Sequence, residues 1–213
     1  DLKPEFEEPT GVTRMERDLI SRLDRLHQRK RALQPELDAR IASYELAARM
    51  QLAASDALDL NQETEATQQA YGVAAEPTDS YGRRCLIARR LVERGVRFVQ
   101  LFLEHQPWDN HSGLQKELRQ CCARTDQPIA ALLKDLKSRG LLDNTLVVWG
   151  GEFGRLPIAQ GDNGRDHNKN AMVGWIAGGG VKGGLSYGTT DEIGFAAAEN
   201  KVSVADWHAT MLH

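Results

Sequence analysis

Cysteine is scarce in this chain: its 213 residues hold three thiols, Cys85 and the adjacent pair Cys121-Cys122. They have neither CxxC spacing nor the density of a stapled domain, which excludes a zinc-thiolate framework and a disulfide scaffold. They read instead as small buried residues on helices. Long apolar runs are also missing. No stretch approaches the roughly 20 residues of a membrane span, and the start has no n-region, h-region and cleavage site. Positive charge is not in excess, with Lys+Arg 27 against Asp+Glu 30 and a net charge of -3, so there is no basic field to collect nucleic acid. Residues 178–184 are glycine-rich and include Lys182, yet they do not match GxxxxGK[ST] and read as a turn. Ser112, Ser186 and Ser203 lack the setting of a nucleophile elbow, and no catalytic triad is visible.

What is present divides the chain in two. Residues 1–79 are expected to form a helical hairpin and a polar connecting segment. Leu19, Leu23 and Leu26, then Leu37, Ile41 and Tyr44, recur at helical spacing, and Pro35 separates the two helices. Their many Arg and Asp residues suit a solvated face. A short helix is expected near residues 62–70, ended by Gly72. From about Ser80 the pattern changes to helix, glycine stop and apolar run: a helix through Cys85, Leu86, Leu91 and Val92 to Gly95, then residues 96–103; a helix over 113–139 to Gly140, then residues 146–149. Residues 172–177 read as a third strand and residues 203–213 as a terminal helix. Val- and Leu-rich strands separated by helices predict an α/β fold, a mainly parallel sheet flanked by helices, over residues 80–213. In that fold residues 96–103 and 146–149 are neighbouring parallel strands. The chain opens on Asp1 and closes inside an amphipathic pattern without a stop signal, so it is expected to be part of a longer protein.

Acid and imidazole groups concentrate in four segments: Trp108-Asp109-Asn110-His111, Gly151-Glu152-Phe153-Gly154-Arg155, Gly164-Arg165-Asp166-His167 and Asp206-Trp207-His208. The first two follow apolar runs, which places Asp109, His111 and Glu152 just past expected strand ends, where loops of open α/β sheets gather ligands. Carboxylate with imidazole suits a divalent metal such as zinc or manganese better than the all-oxygen sites of calcium, without distinguishing the three. An Asp-x-His pair is also an ordinary hydrogen-bonded turn. Arg155, three residues after Glu152, offers either an ion pair to that glutamate or a planar fork to a phosphate or sulfate oxygen.

The wording of the chain is familiar in longer stretches. Residues 125–136 (TDQPIAALLKDL), Val148-Trp149-Gly150-Gly151-Glu152-Phe153-Gly154-Arg155, Gly164-Arg165-Asp166-His167 and residues 177–184 (AGGGVKGG) closely resemble the sulfatase-like bacterial proteins grouped as domain of unknown function 1501. The resemblance runs from about Gly11 to the last residue. It implies an alkaline-phosphatase-like α/β fold with metal ions at the strand ends, and export from the cytoplasm. Carried over by position, it implies that Asp109, His111 and His167 hold one metal, with Asp166 and His208 as further candidate ligands. Glu152 stands where the superfamily has the Asp of an Asp-His pair for a second metal, but Phe153 replaces the His. Asn168 and Ala205 likewise stand where relatives often have His. The superfamily's nucleophile comes from an upstream part that this sequence does not show.

The expectation is therefore the C-terminal portion of a sulfatase-like metallohydrolase acting on sulfate or phosphate esters, with Glu152 and Arg155 as catalytic candidates. A non-catalytic protein using the same pocket to bind sulfated or phosphorylated glycans is the alternative.

Overall fold

A computed structural model describes residues 12–30 and 35–213, which fall into two compact units divided between Asp59 and Leu60. The connection of the expected hairpin, residues 31–34, and the chain start lie outside the described residues. In the first unit α1 (Val12–Lys30) and α2 (Pro35–Leu58) are the two helices read from the sequence. Pro35 stands at the first helical position, where a missing N–H costs nothing. Gln28 Nε2 donates to Asp38 Oδ1 at 3.0 Å, linking the helices. The apolar stripe is as open as the charged face, for Leu19, Leu23 and Leu26 are each more than half exposed.

The second unit is built around three helices: α3 (Glu65–Ala70), α4 (Asp79–Glu93) and α5 (Leu114–Ser138). Thr64 caps α3, its hydroxyl accepting from the Thr67 N–H at 3.2 Å. Gly95 and Gly140 follow α4 and α5 with φ of 84° and 67°, the left-handed stops their sequence positions predict. Leu60, Tyr71, Val73, Cys85, Leu86, Ala131, Leu132 and Leu136 form the core between these helices. Inside it α4 carries a charge. Arg89, 1 % exposed, has Glu63 at 2.6 Å, Glu93 at 2.7 Å and Asp135 at 3.0 Å. Arg90 pairs with Glu63, and Arg139 with Asp135 at 2.6 Å and Glu93 at 2.9 Å, so three guanidiniums face three carboxylates. The Tyr71 hydroxyl donates to Asp135 Oδ2 at 3.0 Å. Burial works to raise the Glu63 carboxyl, but hydrogen bonds from Arg89 and Arg90 hold it below its ordinary value.

The thiols divide as their burial dictates. Burial pushes Cys85 up to about 12, and it raises Cys121 too, whereas Cys122 is exposed. A thiol-reactive disulfide reagent should therefore modify only Cys122 in the folded chain and all three cysteines after denaturation. Fast modification of Cys85 in native protein would contradict this packing.

The strands overturn the expected mainly parallel sheet. β1 (Val147–Trp149) pairs antiparallel with β4 (Trp175–Ala177), β2 (Gly154–Gln160) with β3 (Gly164–Asn168), and β5 (Thr189–Thr190) with β6 (Ala197–Glu199); each pair is a separate two-stranded sheet. The cause lies between β1 and β4. That connection is a hairpin excursion rather than a helix, so the chain returns alongside β1 in the opposite direction. Residues 96–103 form no strand and join no sheet among the described residues. Leu101 packs on the core while Phe98 and Phe102 are 79 % and 65 % exposed, and Arg84 Nη1 donates to the Phe102 carbonyl at 2.5 Å. An apolar run becomes a strand only where a ladder partner meets it, and none does here. The last helix, α6 (Val204–Leu212), opens on a capping box in which Ser203 and Asp206 satisfy each other's backbone N–H. Among the described residues no helix is long and apolar enough to cross a membrane.

Candidate metal centre

The β2–β3 hairpin turns on residues 161–163 and is crossed at its tip by the loop that precedes α5. Arg165 N–H donates to the Asn110 carbonyl at 2.9 Å, Gly113 N–H to Asp162 at 3.1 Å, and Ser112 bridges Asn163. Asn110 is buried and reaches back to the Pro107 carbonyl at 3.2 Å, which also accepts from Cys121 Sγ of α5 at 3.0 Å. These bonds fix the loop that carries Asp109 and His111 against the strand that carries His167. Within the hairpin, Arg155 and His167 are cross-strand partners, so their side chains share one face. The register shifts between Arg155 and Ala159, where Pro157 has no N–H to give the ladder.

One carboxylate oxygen gathers the group. Asp109 Oδ1 lies 3.0 Å from His111 Nε2, 3.2 Å from His167 Nε2 and 2.6 Å from Arg155 Nη1, and the two Nε2 atoms are 3.1 Å apart. The Arg155 N–H does not point straight at the oxygen, so that contact is an ion pair rather than a linear hydrogen bond. Arg155 is nevertheless the chief reason the Asp109 carboxyl is held below its ordinary value, with His167 adding to it. Three donor atoms with edges of 3.0 to 3.2 Å fit a zinc ion. Bonds on the order of 2.0–2.2 Å in a tetrahedron put neighbouring ligand atoms about 3.3 Å apart. The three side chains are part-exposed, at 28 %, 40 % and 46 % for Asp109, His111 and His167, which leaves a side open to a ligand.

Residues 3–213 match a family model described as protein of unknown function (DUF1501). The chain belongs to the DUF1501 family. No curated protein and no solved structure matches it.

In this DUF1501 chain the structure brings together Asp109, His111, His167 and Arg155, with Asp166 at the edge: its Oδ1 is 3.9 Å from His111 Nδ1 and accepts from the His167 N–H at 2.8 Å. Glu152 and His208 stand outside that cluster. Glu152 is exposed in the β1–β2 connection and pairs with no cation among the described residues, so Arg155 answers Asp109 and not Glu152. His208 lies on α6 and its Nδ1 donates to the Val204 carbonyl at 2.9 Å. Phe153 and Asn168, two of the departures from the resembling pattern, have other work. The Phe153 ring packs on His167 with centroids 4.3 Å apart, and the Arg155 guanidinium stands 5.6 Å from the same ring. Asn168 is buried and donates to the Phe195 carbonyl at 2.9 Å, tying β3 to the loop before β6.

Gln160, Asn110, Cys121 and Gly164 are positioning residues to which the sequence reading gave no role at the site. The Gly161-Asp162-Asn163-Gly164 run is a hairpin signal that points to the first and last of them.

Proposed function

We propose that this chain carries the metal-holding part of a sulfatase-like metallohydrolase acting on sulfate or phosphate esters. The observation that supports it is the meeting of Asp109 Oδ1, His111 Nε2 and His167 Nε2 at one partly exposed point with the Arg155 guanidinium beside them. Two imidazoles and a carboxylate suit zinc or manganese. A bound divalent ion supplies Lewis acidity to ester oxygens. The residues of the chain do the rest. Asp109 is held ionised by Arg155 and can bind a cation without first losing a proton. Arg155 uses Nη1 on Asp109 and keeps its other N–H groups for an oxyanion, since none of them is hydrogen-bonded among the described residues. Phe153 shields one face of His167 from water.

Dialysis against zinc or manganese followed by elemental analysis tests the site. The wild-type chain should retain about one ion, as a single ligand cluster requires. His111→Ala should lose it, and His27→Ala, on α1, should keep it. Equal retention by His111→Ala, or no uptake by wild type, would remove the proposal. With the ion bound, inorganic phosphate or sulfate should bind about tenfold more weakly to Arg155→Leu, the low end for losing a hydrogen bond to a charged group worth roughly 1.5–3 kcal/mol. Because the resembling superfamily takes its nucleophile from an upstream part, cleavage of aryl sulfate or aryl phosphate is assayed on a chain extended upstream, where anion binding without cleavage would favour the glycan-binding alternative.

A further inference from the structure

We infer that Gln160 fixes the imidazole of His111 for metal binding, a role that rests on reading Asp109, His111 and His167 as a metal site. Gln160 ends β2 opposite Gly164 at the hairpin tip, and its Oε1 lies 2.7 Å from His111 Nδ1. Asp166 presents Oδ1 to the same nitrogen from 3.9 Å. Both oxygens are acceptors, so the single proton of the neutral ring belongs on Nδ1 and the lone pair on Nε2. That is the atom that faces Asp109 and His167.

The contacts on the other side agree. Two Nε2 atoms 3.1 Å apart hold one proton between them. With His111 accepting, the His167 Nε2–H serves both His111 and Asp109, the latter at 3.2 Å. The two imidazoles are therefore not equivalent. His167 has no hydrogen-bond partner on Nδ1 among the described residues, and its proton must leave Nε2 when an ion arrives. His111 is already in the ligating tautomer because Gln160 holds the proton on the far nitrogen. Without that acceptor, the Asp109 carboxylate 3.0 Å from His111 Nε2 draws the proton to Nε2 and fills the ligand position with an N–H.

Two-bond nitrogen–proton correlations on metal-free protein labelled with nitrogen-15 in its histidines, recorded where the rings are neutral, read the tautomer directly. Wild type should show His111 protonated on Nδ1, Gln160→Leu should move the proton to Nε2, and Gln160→Glu, which keeps the acceptor, should restore Nδ1. His208, whose Nδ1 donates to the Val204 carbonyl, is an internal reference that should not change. Zinc affinity, measured by competition with a chromophoric chelator, should fall about 10–100-fold in Gln160→Leu and recover in Gln160→Glu, the range seen when a metal ligand loses its outer partner. His111 protonated on Nε2 in wild type overturns the assignment. So does zinc affinity unchanged in Gln160→Leu. If wild type takes up no zinc while its His111 tautomer follows Gln160, the metal reading fails and takes with it the purpose assigned here, but the pairing itself stands. Gln160 is exposed, and circular dichroism and the His208 signal report whether each variant is folded.

Discussion

Replacing Arg89 with alanine should destabilise the unit that begins at Leu60 by about 3–5 kcal/mol, the loss expected when one partner of a buried charge cluster is removed. Arg89 is 1 % exposed and is the one guanidinium within 3.0 Å of Glu63, Glu93 and Asp135 alike. Without it Arg90 and Arg139 are left to balance three carboxylates, and Glu63, 8 % exposed, keeps only Arg90. Arg89 holds Glu63 through hydrogen bonding and charge together, so the loss should shrink with acidification. The sign follows from Glu63. Its folded value is depressed below the ordinary 4.5, so its contribution is complete above that pH and is lost as pH falls through the folded value. The difference between wild type and Arg89→Ala in urea unfolding should thus be largest near neutrality and should shrink in acid, once pH falls below the ordinary carboxyl value of 4.5. Arg83→Ala is the comparison. Its i,i+4 pair with Asp79 is on the surface, at 48 % and 31 % exposure, and should be worth about 0–1 kcal/mol. Equal midpoints for the two variants would show that the buried cluster adds nothing beyond a surface pair.

The helices around that cluster were legible because their signals are local. The run from Cys85 to Val92 repeats at helical spacing and stops at Gly95, and the next helix stops at Gly140; both glycines take the left-handed conformation. Strand direction is not local. Residues 146–149 read as a strand and 147–149 form one, but whether the chain returns parallel or antiparallel depends on what lies between it and its partner. There the Gly161-Asp162-Asn163-Gly164 turn makes a hairpin where a crossover helix was needed. Residues 96–103 have the composition of a buried strand, yet composition supplies no partner, and Phe98 and Phe102 are left exposed. At the site, Asp109, His111 and His167 were visible as residue types that bind metals. The pairing of Arg155 with Asp109 was not, because sequence spacing put Glu152 nearer. Gln160 and Asn110 carry no chemistry of their own and become functional only through the atoms they meet.

Gly164→Ala should weaken zinc binding on the order of 100-fold or more, because it moves a ligand without touching any ligand's chemistry. A Cβ built at Gly164 would stand 1.9 Å from the His111 carbonyl oxygen, 2.0 Å from its carbon and 2.6 Å from the Ser112 nitrogen. All three are backbone atoms, so no side-chain rotation relieves the clash. Either the loop lifts from the hairpin or β3 retreats. Both motions change the separation of His111 from His167, now 3.1 Å between Nε2 atoms, and strain the bond from Arg165 N–H to the Asn110 carbonyl that sets the loop's height. A cost of roughly 1–3 kcal/mol in stability, as for overpacking elsewhere, should leave the chain folded. Gly183→Ala is the matched control, since a Cβ there meets nothing within 4 Å. Zinc competition on both variants decides the matter. If Gly164→Ala binds zinc as tightly as Gly183→Ala while remaining folded, the loop and hairpin are not held in register by this contact, and the close crossing at Gly164 is not what sets the His111 to His167 distance.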